Sequence, residues 1–346
     1  MSITRRDLLK LTGAAGALSM APAIVRAQAL EKKQVQIAVG GKALVYYLPL
    51  TIAEIKGYFK DEGLDVSIAD FAGGSKALQA VVGGSADVVS GAFEHTLHMQ
   101  SKGQFYRAFV LQGRAPMVGF GVSKKTMPNY KSPADLKGKK IGVTAPGSST
   151  NMVVSFFLAQ HGLKDSDVSF IGVGAGAGAV TALRSGQIDA ISNTDPVVSM
   201  LELAGDIDVI VDTRTLKDTR EIFGGDMPAG SLYAPQAFID ANPNTVQALT
   251  NAMVRADKWI HEVSIDEIAK TVPTQYLLGE PEVYKTALQK SMDGLSPNGM
   301  IPEDGAATAT RALAAYVKGF DAAKIDPAKA WTNEFARRAN EKYPNA

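Results

Sequence analysis

Short apolar runs alternate with stretches of helical period along most of the chain, the pattern of a layered α/β fold. Gln34–Val39 reads as a strand, Leu50–Phe59 as a helix closing near Gly63, and Val66–Ala69 as a second strand. Ser75–Val82 then reads as a helix and Asp87–Ser90 as a third strand. The same order returns from Lys140: strand Lys140–Val143, helix Thr150–Gln160, strand Val168–Ile171, helix Ala179–Arg184, strand Asp189–Ser192. Individual residues return with it. Gly63-Leu64 matches Gly162-Leu163, and Gly84-Ser-Ala-Asp87-Val-Val-Ser90 matches Gly186-Gln-Ile-Asp189-Ala-Ile-Ser192. A duplicated βαβαβ unit predicts two similar lobes, each built on its own parallel sheet. Ligands of open α/β sheets bind beyond the carboxyl ends of the strands, so two such edges face to face define a cleft.

After Asp195-Pro196 the pattern predicts a helix to Ala204, a strand Asp208–Val211, and a strand Gly230–Ala234 returning to the first lobe. From Pro243 onward it is mostly helical, with Val246–His261 the longest stretch, expected to pack on the first lobe.

The first residues read as an address. Arg5-Arg6 precedes an apolar run, Leu11–Ala23, that contains Gly13, Gly16 and Pro22 and is too short for a bilayer of about 30 Å. Small residues follow, so a twin-arginine signal over 1–29 and export to the periplasm are expected. The segment carries four basic residues and one acid, Asp7, so the formal charge of +1 becomes −2 on its removal. That near-neutral balance offers no basic patch for a nucleic acid. The absence of cysteine excludes disulfides, a lipidated cysteine anchor, a thiol nucleophile and Cys-ligated metal.

Loops after the strands supply the candidate contacts. In the first lobe, Lys42, Tyr46 and Tyr47 follow the first strand, and the tyrosines pair an apolar face with a hydroxyl. Lys42 fits equally a solvated surface. Gly74 and Ser75 open a helix whose free N–H groups face the cleft, although Ser75 also fits a simple cap. Phe93 offers a stacking face. Glu94 offers a carboxylate that a helix start favours in any case. In the second lobe, Ser148, Ser149 and Thr150 set hydroxyls beside a helix N-terminus, the best anion-holding feature in the chain. Asn193 has both donor and acceptor capacity, and Asp195 before Pro196 reads as a contact or as a helix cap.

Three other signals are weak. Gly174-Ala-Gly176-Ala-Gly178-Ala179 satisfies a loose dinucleotide fingerprint, but its counterpart in the first repeat has only Gly73-Gly74. Glu94, His95 and His98 suggest a metal, yet adjacent Glu94 and His95 do not share a helix face. No G-x-S-x-G elbow is present, and Ser148-Ser149 has no identifiable base. Neither a cofactor nor a metal is expected.

The chain resembles the nitrate/sulfonate/taurine class of ABC-transporter substrate-binding proteins, which includes binders of pyrimidine precursors. The resemblance rests on Pro49-Leu-x-Ile-Ala-Glu-x-Lys-Gly57-Tyr-Phe-x-x-Glu-Gly63-Leu-x-Val66, Ala72-Gly-Gly-Ser75 and Gly83-Gly-Ser-Ala-Asp87. It continues through Ser132-Pro-Ala-Asp135-Leu-Lys-Gly138-Lys-Lys-Ile-Gly-Val143, Gly147-Ser-Ser149, Gly186-Gln-Ile-Asp189-Ala and Asp195-Pro196. It implies an α/β, bilobal type II periplasmic-binding-protein fold. The lobes expected are 30–120 with 231–346, and 121–230, with crossings near Phe120-Gly121 and Gly230-Ser231. The function implied is monomeric capture of a small-molecule ligand, an aromatic or sulfonated organic acid, for a membrane ABC permease. A pyrimidine-like nitrogenous ligand is the alternative. The enzymatic rival is the pyrimidine-synthesising branch, whose chemistry needs a cysteine-bearing motif that this chain lacks.

Overall fold

A computed structural model describes residues 29–345, so the expected signal segment lies outside the described residues apart from Ala29. Among the described residues ten strands form: β1 Gln34–Gly40, β2 Asp65–Phe71, β3 Val88–Ala92, β4 Tyr106–Leu111, β5 Val118–Ser123, β6 Lys140–Val143, β7 Ser169–Gly172, β8 Ala190–Thr194, β9 Ile207–Asp212 and β10 Gly230–Pro235. They divide into two five-stranded sheets, β2-β1-β3-β10-β4 and β7-β6-β8-β5-β9. The duplication seen in the sequence is therefore a duplication of topology.

Neither sheet is wholly parallel, which corrects the expectation. β1 pairs in parallel with β2 and β3, as β6 does with β7 and β8. β10 runs antiparallel to β3 and β4, and β5 antiparallel to β8 and β9. The reason is the route of the chain. It leaves β4 at the cleft end, crosses through 112–117 and enters the other sheet from its cleft end as β5. It returns through 213–229 and enters as β10, with Gly230 opposite Ala92. Phe120 and Gly121 thus lie inside β5 and pair with β8, whereas Gly230 and Ser231 do open the returning strand.

Strands β4 and β5 were not legible in the apolar pattern. Gly119 and Gly121 interrupt β5, and side chains there would collide with the helix behind the sheet and with the neighbouring strand. A Cβ at Gly119 would stand 2.5 Å from Val198 Cγ1, and one at Gly121 2.7 Å from Ile207 Cδ1. The glycines let the helix Val197–Leu203 and β9 close on the strand, against its intrinsic preference.

The longest helix, Pro243–Glu262, buries Val246, Leu249, Met253, Ala256 and Ile260 at helical spacing. It packs on the helices Leu48–Ile55 and Glu334–Lys342 of the first lobe. Full burial of Leu249 and Met253 contributes about 1.5–3 kcal/mol each. The helix stops at Val263, which is extended, and Ser264 caps the next helix by accepting from the Glu267 N–H at 3.2 Å. Two other C-terminal helices reach beyond the first lobe. Pro281–Ser291 packs on Val197–Leu203, and Gly305–Tyr316 packs on Ser149–Gln160 as well as on Glu94–Gln100.

Candidate ligand-binding cleft

The carboxyl ends of β1, β2 and β3 face those of β6, β7 and β8, and the loops that follow them touch across the gap. The Val45 N–H donates to the Asp195 carbonyl at 3.0 Å. Ser75 donates its N–H to Ser148 Oγ at 3.1 Å and its hydroxyl to the Pro146 carbonyl at 2.9 Å. His95 Nε2 lies 3.2 Å from the Gly147 carbonyl, while Nδ1 lies 2.9 Å from the Tyr233 hydroxyl. A carbonyl only accepts, so Nε2 carries the proton and Nδ1 accepts from Tyr233. The approach is close at Gly41 and Gly73, where a Cβ would stand 2.5 Å from Ala175 Cβ and 2.8 Å from Ala145 Cβ.

Inside this seam is a cavity of about 10 Å³, the room of roughly one water. Typical small-molecule sites measure about 300–1,000 Å³, so the cavity as it stands is too small for an organic solute. Its wall brings together Tyr46, Tyr47, Gly74, Ser148, Ser149 and Thr150, all expected from the sequence. Leu44, Thr144 and Thr194 join them and were not anticipated. The helix Ser149–Gln160 begins at this wall with Ser148 as its N-cap residue. Its first N–H groups, at Ser149 and Thr150, have no acceptor within the helix.

Several polar atoms here are buried without a partner. The Tyr46 hydroxyl faces Ser149 without closing a hydrogen bond of normal geometry, and Thr194 Oγ1 is likewise unpartnered. So is Glu94 Oε1, on a residue only 3 % exposed. Each such group costs about 1–3 kcal/mol. Tyr46 and Thr194 line the cavity itself, and the Glu94 carboxyl is close enough to act on the Tyr46 and Tyr47 hydroxyls. Burial pushes the Glu94 carboxyl up to about 7 and pulls the His95 imidazole down to about 4. Burial raises the Tyr46 and Tyr47 hydroxyls too, with the Glu94 charge adding to it, so both stay neutral donors.

The remaining candidates are placed elsewhere. Lys42 pairs with Glu54, and its N–H donates to Asp70 at 2.9 Å, so its charge is turned from the cleft. Phe93 is fully enclosed in the apolar cluster that contains Leu97, Met227 and Tyr233, because its backbone N–H is drawn to the Ala229 carbonyl at 2.8 Å. Asn193 braces a loop: its Oδ1 accepts from the Thr194 N–H at 2.9 Å and its Nδ2 donates to Gly174 at 3.0 Å. Ser75 is taken up in the seam. The Thr150 hydroxyl lies 2.9 Å from that of Thr144.

Asp195 turns to the start of the helix Val197–Leu203, the simpler of its two readings. Its Oδ1 accepts from the Ser199 N–H at 2.8 Å, and its Oδ2 lies 3.6 Å from Arg214 Nη1. Arg214 is wholly buried and also holds Asp212 at 2.6 Å and Glu202 at 2.8 Å, with Lys290 3.1 Å from Glu202. Burial lifts the Asp195 carboxyl above its ordinary range although Arg214 opposes this. Sequence reasoning missed this cluster, since an arginine after a strand looks like a solvated loop residue.

Residues 28–273 match the NMT1-like family, more than half of the chain. The chain belongs to the NMT1-like family. Among curated relatives of this NMT1-like chain, YtlA of Bacillus subtilis (strain 168) carries the provisional name of a binding protein. It is 23% identical over 75% of the chain and 76% of its own length. The 4-amino-5-hydroxymethyl-2-methylpyrimidine phosphate synthase of Aspergillus parasiticus is 27% identical over 69% and 70%. A solved protein from Bordetella bronchiseptica RB50 is 83% identical, with a TM-score of 0.92 over 92% of this chain and 100% of its own. The alkanesulfonate-binding protein SsuA from Xanthomonas axonopodis pv. citri, bound to MOPS, is 21% identical, with a TM-score of 0.68 over 88% and 100%. The NMT1-like chain therefore has the fold of the periplasmic binding proteins of ABC transporters. Among the described residues no helix is long and apolar enough to cross a membrane.

Proposed function

We propose that this protein is the periplasmic solute-binding component of an ABC importer and captures a small organic acid between its lobes. The observation that carries the reading is the unpartnered Tyr46 and Thr194 hydroxyls on the cleft wall, beside the start of the helix Ser149–Gln160. An anionic group there would be held by neutral hydroxyls and backbone N–H groups. Tyr46 and Tyr47, ring centroids 4.7 Å apart and edge to face, give the site an aromatic side. The anion-binding neighbours are consistent with this: the SsuA structure is named for alkanesulfonates and that of NrtA from Synechocystis for nitrate. Closure is a rocking of the two sheets about the crossings at 112–117 and 213–229, and the closed monomer is what a permease recognises.

A second reading, a planar nitrogenous ligand, is favoured by Glu94, whose buried carboxyl would take a donor from it. Binding rather than catalysis is supported by the state of His95. Both of its ring nitrogens are engaged, by Tyr233 and Gly147, and neither faces a cleft serine.

A thermal-shift screen of protein stripped of carried-over ligand separates these readings. Sulfonates, aromatic carboxylates, nitrate and aminopyrimidines are the four classes. A ligand at a hundredfold over its Kd stabilises by about 2.7 kcal/mol. A rise with sulfonates or carboxylates supports the acid, and a rise with aminopyrimidines alone replaces it by the nitrogenous ligand. No rise with any class overturns both.

A further inference from the structure

Outside the cleft, a second concavity lies where the lobes meet. It runs along the helix Ser149–Gln160 of the second lobe and is closed on its other side by the end of the helix Gly305–Tyr316. Its volume is about 740 Å³, within the range of small-molecule sites and far larger than the 10 Å³ of the inner cavity. Ser148 lines both spaces, so the Gly147-Ser148 turn is the partition between them.

The chemistry of the groove is amphiphilic. Met152 and Leu163 from one lobe and Ala315 and Val317 from the other make an apolar floor. Lys164 and Lys318, both exposed and from opposite sides, stand against one carboxylate, Asp165. Asn151 on the wall is fully engaged: its Nδ2 donates to Ser155 Oγ at 3.0 Å, and its Oδ1 accepts from the Gly147 N–H at 2.9 Å. Burial lowers the proton affinity of His98 on the groove wall, so it adds no charge at neutral pH. The remaining positive charge belongs to the lysines, over a surface of methylene and methyl groups.

We propose that this groove is a second ligand site, taking a small amphiphilic organic anion. Its apolar body lies along Met152, Leu163 and Val317, and its acid group meets Lys164 and Lys318. Such an occupant touches both lobes at once and so favours their closed arrangement. The proposal is independent of the ligand class assigned to the cleft.

The probe is 8-anilinonaphthalene-1-sulfonate, followed by fluorescence and displaced with octanesulfonate. The wild-type chain is expected to bind it saturably. Ala315→Trp, which fills the groove from an exposed position, is expected to weaken binding at least tenfold. The double variant Lys164→Glu, Lys318→Glu should do the same at two exposed sites, and it decides the matter if Ala315→Trp fails to fold. Thr194→Val, in the cleft, should lower only the share of the probe that the cleft itself takes, and the groove component should survive in it. Absence of saturable binding, groove variants within twofold of wild type, or loss in Thr194→Val with the groove variants unaffected would each overturn the proposal.

Discussion

The chain buries two polar clusters close to its lobe junction, and they are finished in opposite ways. Around Arg214 every charge has a partner: Asp195, Asp212, Glu202 and, through Glu202, Lys290. Around the cleft, the Tyr46 hydroxyl, Thr194 Oγ1 and Glu94 Oε1 are buried and have none. The two clusters are covalently adjacent, since Thr194 ends β8 and Asp195 is the next residue. One residue faces the cleft and the next faces the charge cluster. Saturated polar burial fixes a conformation, whereas unsaturated polar burial keeps capacity for a ligand at a cost in stability.

Arg214→Met should break the first cluster with the largest effect. It takes the guanidinium from three carboxylates and leaves the fully buried Asp195 without a cation, while Lys290 stays beside Glu202 and Asp212, and should cost about 3–5 kcal/mol in urea unfolding. An unchanged midpoint would show that the cluster is not a structural clamp.

The next effect, about 3 kcal/mol per group, comes from the pH dependence of Glu94 and His95. Glu94 is raised from 4.5 to about 7, so its contribution is full below 4.5 and is lost as pH rises through 7. His95 is lowered from 6.5 to about 4, so its contribution is full above 6.5 and is lost as pH falls through 4. Between 4.5 and 6.5 the two slopes cancel, because the folded chain carries on Glu94 the proton that the unfolded chain carries on His95. Glu94→Gln should expose the His95 slope, with stability rising from pH 4 to 6.5. His95→Phe should expose the opposite slope. Identical pH profiles for both variants and the wild type would refute this pairing.

Asp257 sharpens the comparison, since both its carboxylate oxygens lack partners yet it sits in the first-lobe core on the helix Pro243–Glu262. Burial holds its carboxyl well above the ordinary 3.8. Its neutral form is favoured, so the cost of keeping it appears as pH rises. Asp257→Leu should gain about 1–3 kcal/mol at pH 7 and leave ligand binding untouched. A change in affinity would mean that unpartnered burial alone does not mark the cleft.

The smallest stability effect belongs to Tyr46→Phe and Thr194→Val, which should be neutral or gain up to about 1 kcal/mol. In calorimetric titration with the confirmed ligand each should lose about tenfold in affinity, roughly 1.4 kcal/mol. Loss of stability with affinity preserved would move the recognition surface elsewhere.

How far the sequence revealed this follows from how each residue is used. β1, β3 and β8 showed as apolar runs because they are buried on both faces, and the Gly-Ser-Ser before a helix marked the second-lobe wall. β5 was hidden by Gly119 and Gly121, whose reason lies in Val198 and Ile207, remote in the chain. Thr144 and Thr194 were passed over because a threonine at a strand end looks like ordinary strand. Lys42 and Phe93 were read as contacts because loop position alone does not say which way a side chain turns. Asp195 was ambiguous for a physical reason: a helix cap and a cleft carboxylate have the same local sequence.

The returning strand β10 has a consequence for the order in which the molecule can be completed. It lies between β3 and β4, so those two strands have no neighbour in common until residues 230–235 have been synthesised. The second sheet draws all its strands from 118–212 and can close earlier. The lobe whose strands begin first is therefore the one finished last, and β10 is its keystone.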